Sequence, residues 1–309
     1  MSGDIKASLQ QTLKTAISCR GIGLHSGQRV AMGLLPAEVG TGIVFRRTDA
    51  AVEIAANWAN AIESARCTML SDGEGTSVGT VEHLMAALAG AAIDNAIVEL
   101  DGPEVPIMDG SAEPFVFLIE CAGVVEQDAP RRAIEVLKSV SVVADDAMAV
   151  LSPDDGFSMS FEIDFASPLI RHQDMSVVVS PGTFKSELSR ARTFGLLDDV
   201  ARLQEAGLAR GGSLDNVIVV SGDRVLNSGG LRYDDEFVRH KMLDAVGDLY
   251  LAGAPIIGHF RGVRSGHAHT RRLLAALFAD PEAWTYTTCA PASWPVAFEF
   301  QADGPHARA

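Results

Sequence analysis

The sequence predicts an α+β fold divided into two domains. Strand-like and helix-like segments alternate irregularly along the 309 residues, and each half of the chain contains both strands and long helices. Hydrophobic residues form 47% of the chain, which is enough for one large core or two modest ones. A polar stretch with a proline at 126–132 is typical of a linker. We therefore predict an N-terminal α+β domain at 1–128 and a C-terminal α+β domain at 129–309.

In the N-terminal half, hydrophobic periodicity predicts strands and helices around one glycine-rich turn. The turn covers residues 21–27, where the glycines favour a change of chain direction. The predicted elements are strands at 12–19 and 28–35, a helix at 77–90, a strand at 93–100 and a helix at 114–123.

The C-terminal half continues the mixed pattern after the linker. A βαβ insert is predicted near 193–221, and the polar tail from Ala302 onward is expected to fray. The predicted elements are strands at 133–143, 147–151 and 158–165, helices at 183–190 and 198–206, a strand at 216–221, helices at 235–252 and 267–279, and a strand at 294–301.

Charge and composition exclude several classes of protein. The net charge of −15 argues against binding nucleic acid or an anionic membrane through the overall field. Four widely spaced cysteines without a CxxC motif predict reduced thiols in a cytoplasmic protein. The opening residues MSGDIKASLQ lack the basic-then-apolar pattern of a signal peptide, so we expect none, and no apolar run reaches the about 20 residues that a membrane span needs. A monomer is expected, because nothing marks an exposed apolar interface.

The helix predicted at 235–252 has one apolar face and one chemically active face. His240 and Asp244 are four residues apart and therefore share a face, which Gly247 and Asp248 continue. An imidazole and a carboxylate at this spacing form a good half-site for zinc. The alternative is a solvated face with a helical ion pair. A zinc enzyme also needs a third ligand and an open position for water.

The helix predicted at 77–90 offers that third ligand. His83 points away from the apolar stripe of this helix, and the small residues around it permit close approach by another helix or a ligand. Glu82 stands beside it, as in zinc hydrolases in which a ligand histidine neighbours a carboxylate base. No HExxH motif is present, so the alternative is a surface histidine.

A third segment places a histidine at the start of a helix. Gly266 precedes an apolar helical run, so His267 lies at or near the first turn, where it could act as a proton donor. The alternative is that His267 or His269 only caps the helix or faces solvent.

Together these segments resemble the UDP-3-O-acyl-N-acetylglucosamine deacetylases of lipid A biosynthesis. The resemblance runs in order over nearly the whole chain, and several long motifs in register are more specific than any isolated HxxxD. The motifs are 21–27 (GIGLHSG), 80–84 (TVEHL), 105–111 (VPIMDGS), 191–195 (ARTFG), 235–244 (DEFVRHKMLD) and 265–267 (SGH).

The resemblance implies a zinc amidase with two domains of similar topology, whose helices pack between two sheets. It places the active site at the domain junction, with Zn²⁺ as cofactor and Fe²⁺ as an alternative metal in the cell. The substrate would be a UDP-linked acylated amino sugar, and the products acetate and a free 2-amino sugar. The implied roles are metal ligands at His83, His240 and Asp244, a general base at Glu82, a cationic histidine at His267 oriented by Asp248, and a carbonyl or oxyanion contact at Thr193.

The resemblance also implies substrate contacts. Lys241 would lie near the diphosphate, and Asp164 and Phe165 near the nucleotide, with Phe165 a candidate for stacking. The segment 194–219 matches a hydrophobic passage for the acyl chain; the alternative is that its apolar residues form the core of the insert. The remaining predicted substrate contacts are Leu24, His25 and Phe194, with Leu197, Val200, Leu214 and Val219 in the passage.

One position departs from the family pattern. Some members carry a lysine near the position of Ala147, directed at the nucleotide, whereas this chain has Asp145, Asp146 and Ala147. Phosphate recognition would then depend on Lys241 and nearby arginines.

Two other functions remain open at this level. One is a zinc amidase that acts on a different acylated nucleotide sugar, and only substrate profiling separates it from the first. The other is a non-catalytic sugar-nucleotide binding protein. The joint presence of the five residues Glu82, His83, His240, Asp244 and His267 speaks against it.

Overall fold

The computed structural model describes residues 8–64 and 66–289 and confirms the α+β fold. Two larger sheets and three small ones are accompanied by six helices within these residues. The predicted strand at 294–301 and the tail from Ala302 lie outside the described residues. The domain boundary at residue 128 stays a prediction.

The strands of the N-terminal half form a five-stranded sheet and a small three-stranded sheet. The larger sheet has the order β2-β3-β9-β4-β5, and the smaller one the order β6-β7-β8. The strands are β1 (Leu9–Leu13), β2 (Ile17–Ile22), β3 (Arg29–Pro36), β4 (Ile43–Arg47), β5 (Val52–Ala55), β6 (Ala61–Ile62), β7 (Met69–Ser71), β8 (Ser77–Val78) and β9 (Ala96–Leu100).

The predicted linker is an extended strand rather than a loop. Residues 124–130 form β10 (Val124–Pro130), which pairs antiparallel with β1 in a sheet of its own. The polar sequence of this segment is typical of a loop, but it belongs to a strand whose side chains are all partly or fully exposed. Such a strand has no buried apolar face that the sequence pattern could reveal. The strand predicted at 12–19 is in fact the end of β1 and the start of β2, separated by a turn.

The second half is built on a seven-stranded sheet around β19. This strand pairs with β11 and β14 in parallel and with β13 antiparallel. Sequence periodicity missed it, because its two glycines and one arginine weaken the strand pattern. The strands are β11 (Arg132–Val136), β12 (Val140–Ala144), β13 (Ala147–Ser152), β14 (Phe157–Asp164), β15 (His172–Val178), β16 (Phe194–Leu196), β17 (Ile218–Ser221), β18 (Arg224–Val225), β19 (Ile256–Val263) and β20 (Trp284–Thr288).

The helices agree closely with the periodicity. The helix predicted at 267–279 is found with the same bounds, whereas the one predicted at 77–90 begins only at residue 82. It starts late because Ser77 and Val78 pair with β7, and Thr80 has a φ of 56° that no α-helix adopts. The helices are α1 (Glu82–Gly90), α2 (Glu113–Ala122), α3 (Pro181–Thr183) with a π-helical continuation Phe184–Leu188, α4 (Leu197–Glu205), α5 (Glu236–Tyr250) and α6 (His267–Ala279).

Segment 194–225 forms a small unit of its own. Strands β16 and β17 run parallel, with α4 between them in the chain, and β18 pairs antiparallel with β17. Ile218 and Val220 are its buried apolar residues on β17.

The long helices lie between the two large sheets. Helix α2 contacts β2 of the five-stranded sheet, while α5 contacts β14 and β15 and α6 contacts β12 and β13. Helix α1 joins the two groups, since it packs against both α2 and α5 and all of its residues are buried. None of the helices in the described ranges combines the length and the apolar character that crossing a membrane requires.

The contact between α1 and α5 requires a glycine. A Cβ atom added at Gly247 would lie 2.0 Å from the carbonyl oxygen of Glu82 and 3.0 Å from the backbone nitrogen of Ala86. Both neighbours are backbone atoms of a buried helix, so neither can rotate away. Gly247 therefore sets the distance between the two helices.

We expect Gly247→Ala to destabilise the protein by about 1–3 kcal/mol, the usual cost of overpacking. The clash outweighs the gain of up to about 1 kcal/mol in helix propensity from Gly to Ala. Denaturant unfolding monitored by circular dichroism measures the difference. Gly156→Ala is the matched control, because a Cβ there meets nothing within 4 Å. Equal stability of the two variants would contradict the packing argument.

Candidate active site and metal centre

Two helices bring three potential metal ligands together. His83 comes from α1, and His240 and Asp244 come from successive turns of α5. Their ligand atoms all lie within 4.8 Å of one another, and the three residues are buried. Asp244 Oδ1 lies 3.4 Å from Nε2 of each histidine. The faces predicted from helical spacing therefore converge at one point.

The environment of the two ligands on α5 favours the form that binds a cation. The Nδ1–H of His240 donates to the carbonyl oxygen of Ala191 at 3.0 Å, which leaves the Nε2 lone pair facing Asp244. Burial lowers the pKa of His240 to about 4, so its imidazole is neutral near pH 7. Burial alone would raise the pKa of Asp244, but His240 and Lys241 hold it well below its ordinary value.

This set of donors fits a divalent cation. Asp244 Oδ1 is buried and has no hydrogen-bond partner among the described residues, which is costly for a carboxylate oxygen. A cation between the two imidazoles and this oxygen would supply the missing partner. Two histidine nitrogens and one carboxylate oxygen are a donor set that catalytic zinc sites use.

Glu82 places a second carboxylate beside the three ligands. Its side chain is buried, and Oε2 accepts a hydrogen bond of 3.0 Å from the backbone N–H of Thr68. Burial raises its pKa, and His267 and His83 act in the opposite direction. Such a carboxylate is a better proton acceptor at neutral pH than an exposed one.

His267 forms a charged pair with Asp248 at the first turn of α6. Its Nδ1–H donates to Asp248 Oδ2 at 2.8 Å. Burial alone would lower the pKa of His267, but Asp248 outweighs this effect and the pKa rises to about 9. Nε2 lies 3.9 Å from both Glu82 Oε1 and Asp244 Oδ2. The imidazole is therefore cationic near pH 7 and presents its Nε2–H to the other carboxylates.

The segment that carries Thr193 is tied to α5. Thr193 N–H donates to the Gly110 carbonyl at 2.8 Å, and Ile218 N–H donates to the Thr193 carbonyl at 2.8 Å. The preceding Arg192 forms an ion pair of 2.9 Å with Glu236, which is completely buried. These bonds hold the Thr193 side chain at the wall of a cavity that opens over the site.

A cavity of about 450 Å³ opens over these groups. Phe194 lies between Phe165 and His240, with ring centroids 5.6 Å and 6.2 Å away. The predicted site residues on the cavity wall are Glu82, His83, His240, Asp244, His267 and Thr193, with the predicted substrate contacts Leu24, His25, Phe165, Phe194 and Lys241.

Other predicted residues lie away from this wall. Asp248 stands behind His267, and Asp164 is exposed at the end of β14, opposite His172. The four predicted passage residues lie on or beside the unit 194–225, and none of them is buried. Leu197 and Leu214 are 42% and 50% exposed, and Val200 and Val219 are partly exposed. Because they do not form the core of that unit, they are free to meet a ligand.

Three further residues stand on or behind the cavity wall although the sequence analysis did not assign them a role. Glu104 is buried and accepts hydrogen bonds of 2.8 Å from the backbone N–H groups of His25 and Ser26 and from the hydroxyl of Thr80. It thereby holds the turn 21–27 against the start of α1. Arg66 and Arg264 line the cavity with Lys241. In the sequence, the position of Glu104 directly before the motif at 105–111 is the one feature that could have drawn attention to it.

Ala147 is buried at the start of β13, so it offers no charge to a ligand. The guanidinium of Arg264 instead bonds to Asp146, with Nη1 3.0 Å from Oδ2. The basic side chains on the cavity wall are Arg66, Lys241 and Arg264.

Two imidazoles and a carboxylate converge here beside a second buried carboxylate and a cationic His–Asp pair. On this α+β fold they define a hydrolase-type site with a candidate metal centre. Residues 10–279 match the model of the family LpxC, UDP-3-O-acyl N-acetylglycosamine deacetylase. The chain belongs to this deacetylase family.

Relatives support the assignment over most of the chain. A UDP-3-O-acyl-N-acetylglucosamine deacetylase of Acidithiobacillus ferrooxidans is 50% identical over 94% of this chain and 96% of its own length. Proteins of the same name from Chromohalobacter salexigens and Pseudomonas entomophila are 52% and 53% identical, over 90% and 89% of this chain and 93% and 92% of their own.

We predict that His83→Ala, His240→Ala and Asp244→Ala each weaken zinc binding by more than the roughly 10–100-fold that loss of an outer-shell partner costs. Each change removes one of the three donors that converge within residues 8–64 and 66–289. Competition with a chromophoric chelator measures the affinity of the metal-stripped protein. The control is His172→Ala on β15, which lies outside the cavity. Wild-type affinity in the His240 variant would show that the metal binds elsewhere.

Proposed function

We propose that this protein hydrolyses the 2-acetamido group of UDP-3-O-(3-hydroxyacyl)-N-acetylglucosamine, giving acetate and the free 2-amino sugar. This is the committed step of lipid A biosynthesis in the family that the chain belongs to. The observation that carries the proposal is the convergence of Glu82, the three ligand residues and His267 on one cavity wall. The names and high identity of the relatives support the substrate.

We further propose that the enzyme is metal-dependent, with zinc as the metal and Fe²⁺ as an alternative in the cell. His83, His240 and Asp244 would hold the ion. When bound, such an ion polarises a carbonyl oxygen and lowers the pKa of a bound water to about 7.

Glu82 acts as the general base in this proposal. It takes a proton from the attacking water while the water oxygen forms a bond to the acetamide carbon. Its position next to His83 keeps its carboxylate beside the site of attack. Burial raises the pKa of Glu82 toward the pH at which the enzyme works, so its carboxylate accepts a proton more readily.

His267 completes the reaction as the general acid. The bond between the acetamide carbon and nitrogen breaks, and the Nε2 proton of His267 passes to the leaving amine. Asp248 keeps the ring charged and oriented through the hydrogen bond at Nδ1. Thr193, on the same wall, is placed to donate its hydroxyl proton to the oxygen on which negative charge develops.

Local positive charge would attract the diphosphate to a protein whose net charge is −15. Lys241 Nζ lies 2.8 Å from Asp244 Oδ2; burial lowers its pKa, but Asp244 outweighs this and keeps the ammonium charged. Arg66 and Arg264 add two further charges on the cavity wall. Phe165 is the candidate for stacking on the base. A cytoplasmic location and a monomeric state belong to the same proposal.

The decisive experiment measures acetate release from this substrate by metal-stripped protein before and after one equivalent of zinc. We expect zinc to restore turnover, and Glu82→Ala or His267→Ala to reduce kcat by about 100-fold or more, the lower range for loss of a general acid or base. Metal content should remain at the wild-type level in both. Glu53→Ala, on the outer strand β5, is the control.

The possible outcomes separate the remaining functions. No acetate release despite bound zinc would reject this substrate and favour an amidase for another acylated nucleotide sugar. Tight binding of the intact substrate without any hydrolysis would favour a non-catalytic binding protein. A near-normal rate in either variant would remove that residue from the mechanism.

Substrates with shortened acyl chains should lose efficiency if the unit 194–225 receives the chain. Each methylene that leaves an apolar contact costs about 0.8 kcal/mol, or about fourfold in kcat/KM. Steady-state kinetics on a chain-length series measures this dependence, and Leu214→Asp should flatten it. Val143→Asp, at an exposed valine of β12, serves as the control. Equal rates on short and long chains would exclude the passage.

A further inference from the structure

Thr68 connects three functional side chains that come from three different helices. It precedes β7, is 7% exposed, and lies among Glu82 of α1, Asp248 of α5 and His267 of α6. Its backbone N–H donates to Glu82 Oε2 at 3.0 Å. Its hydroxyl Oγ1 lies 2.5 Å from Asp248 Oδ1 and 3.2 Å from His267 Nδ1.

The direction of these hydrogen bonds follows from the groups involved. The Asp248 carboxylate can only accept, so the hydroxyl proton of Thr68 points at Asp248 Oδ1. The lone pairs of Oγ1 then face His267 Nδ1–H, which also donates to Asp248 Oδ2 at 2.8 Å. Thr68, Asp248 and His267 thus form a closed ring of donors and acceptors, and Nδ1 must carry a proton to complete it.

The backbone around Thr68 is itself well anchored. Strand β7 pairs with β6 on one side and β8 on the other, and the carbonyl of Thr68 accepts from the Val81 N–H at 3.3 Å. Thr68 therefore cannot move without disturbing the residue just before α1. Because Thr68 is anchored in this way, it fixes the positions of the two carboxylates that it contacts, Glu82 and Asp248.

We propose that Thr68 is a positioning residue that fixes the base Glu82 and the His267–Asp248 pair relative to each other. By holding a proton on Nδ1, it directs the second imidazole proton, on Nε2, toward the cavity. The catalytic role of Thr68 rests on the proposed function. The hydrogen-bond ring itself does not depend on the substrate.

Thr68 acts through its neighbours and not on the substrate. It is absent from the wall of the 450 Å³ cavity that carries the other functional groups. Loss of its hydroxyl should therefore lower kcat and leave KM nearly unchanged. Valine has the same shape and keeps the backbone N–H bond to Glu82, so Thr68→Val removes only the bonds to Asp248 and His267.

The kinetic test compares Thr68→Val with Thr68→Ser in the zinc-loaded enzyme. We expect kcat to fall about 10- to 100-fold in the valine variant, the range for a lost charge-assisted hydrogen bond. The serine variant should recover most of this loss, because it restores the hydroxyl. Thr41→Val, at an exposed threonine, controls for the type of substitution. An unchanged kcat in Thr68→Val, or an equal loss in Thr68→Ser, would overturn the proposal.

A double-mutant cycle separates positioning from a general structural effect. In an Asp248→Ala background the Thr68 hydroxyl has lost its acceptor, so adding Thr68→Val should change kcat by less than about twofold. Full additivity of the two changes would show that Thr68 does not act through Asp248.

A spectroscopic test is independent of the substrate. In zinc-loaded protein with ¹⁵N-labelled histidine, the Nδ1 proton of His267 can be assigned by its loss in His267→Ala. We expect this signal to shift and to exchange faster with water in Thr68→Val, and to keep its wild-type position in Thr68→Ser. An unchanged signal in the valine variant would refute the ring even if the proposed substrate proves wrong. If the wild-type enzyme releases no acetate while the signal behaves as expected, the proposed function fails and the ring stands.

Discussion

The close approach of α1 and α5 is the constraint on which the rest of the site depends. Gly247 allows the backbone of α5 to lie against the carbonyl oxygen of Glu82, where any Cβ atom would clash. This contact brings His83 on one helix close enough to His240 and Asp244 on the other for all three to bind one metal ion, with their ligand atoms within 4.8 Å of one another. Because both helices are buried between two sheets, the distance between them is set by packing, and the metal need not create it.

Burial gives each ionisable group of the site its character. Removal from water disfavours charge on every one of them, so the charged states persist only where an opposite charge lies close. His240 has its pKa lowered to about 4 and stays neutral, whereas His267 beside Asp248 has its pKa raised to about 9. One buried site thus holds a neutral imidazole suited to a metal and a cationic imidazole suited to proton donation.

Hydrophobic periodicity was most accurate for the elements whose conformation depends least on hydrogen bonds to distant parts of the chain. The helix at 267–279 has a complete apolar stripe, and its predicted bounds are those of α6. The strand β19 was missed although it lies at the centre of its sheet, and the supposed linker is the strand β10. In both cases hydrogen bonds to distant strands decide the conformation, and such partners leave no mark on the local pattern.

The sequence by itself determined the family, the α+β class and the faces of α1 and α5 that carry the three ligands, because residue spacing on a helix dictates which side chains share a side. Only the tertiary structure decided how those faces meet and what supports them. Thr68 and Asp248 are 180 residues apart in the chain yet share a hydrogen bond, and Glu104 holds a turn 79 residues before it. These contacts arise when separate elements pack against each other, so no spacing within one segment predicts them.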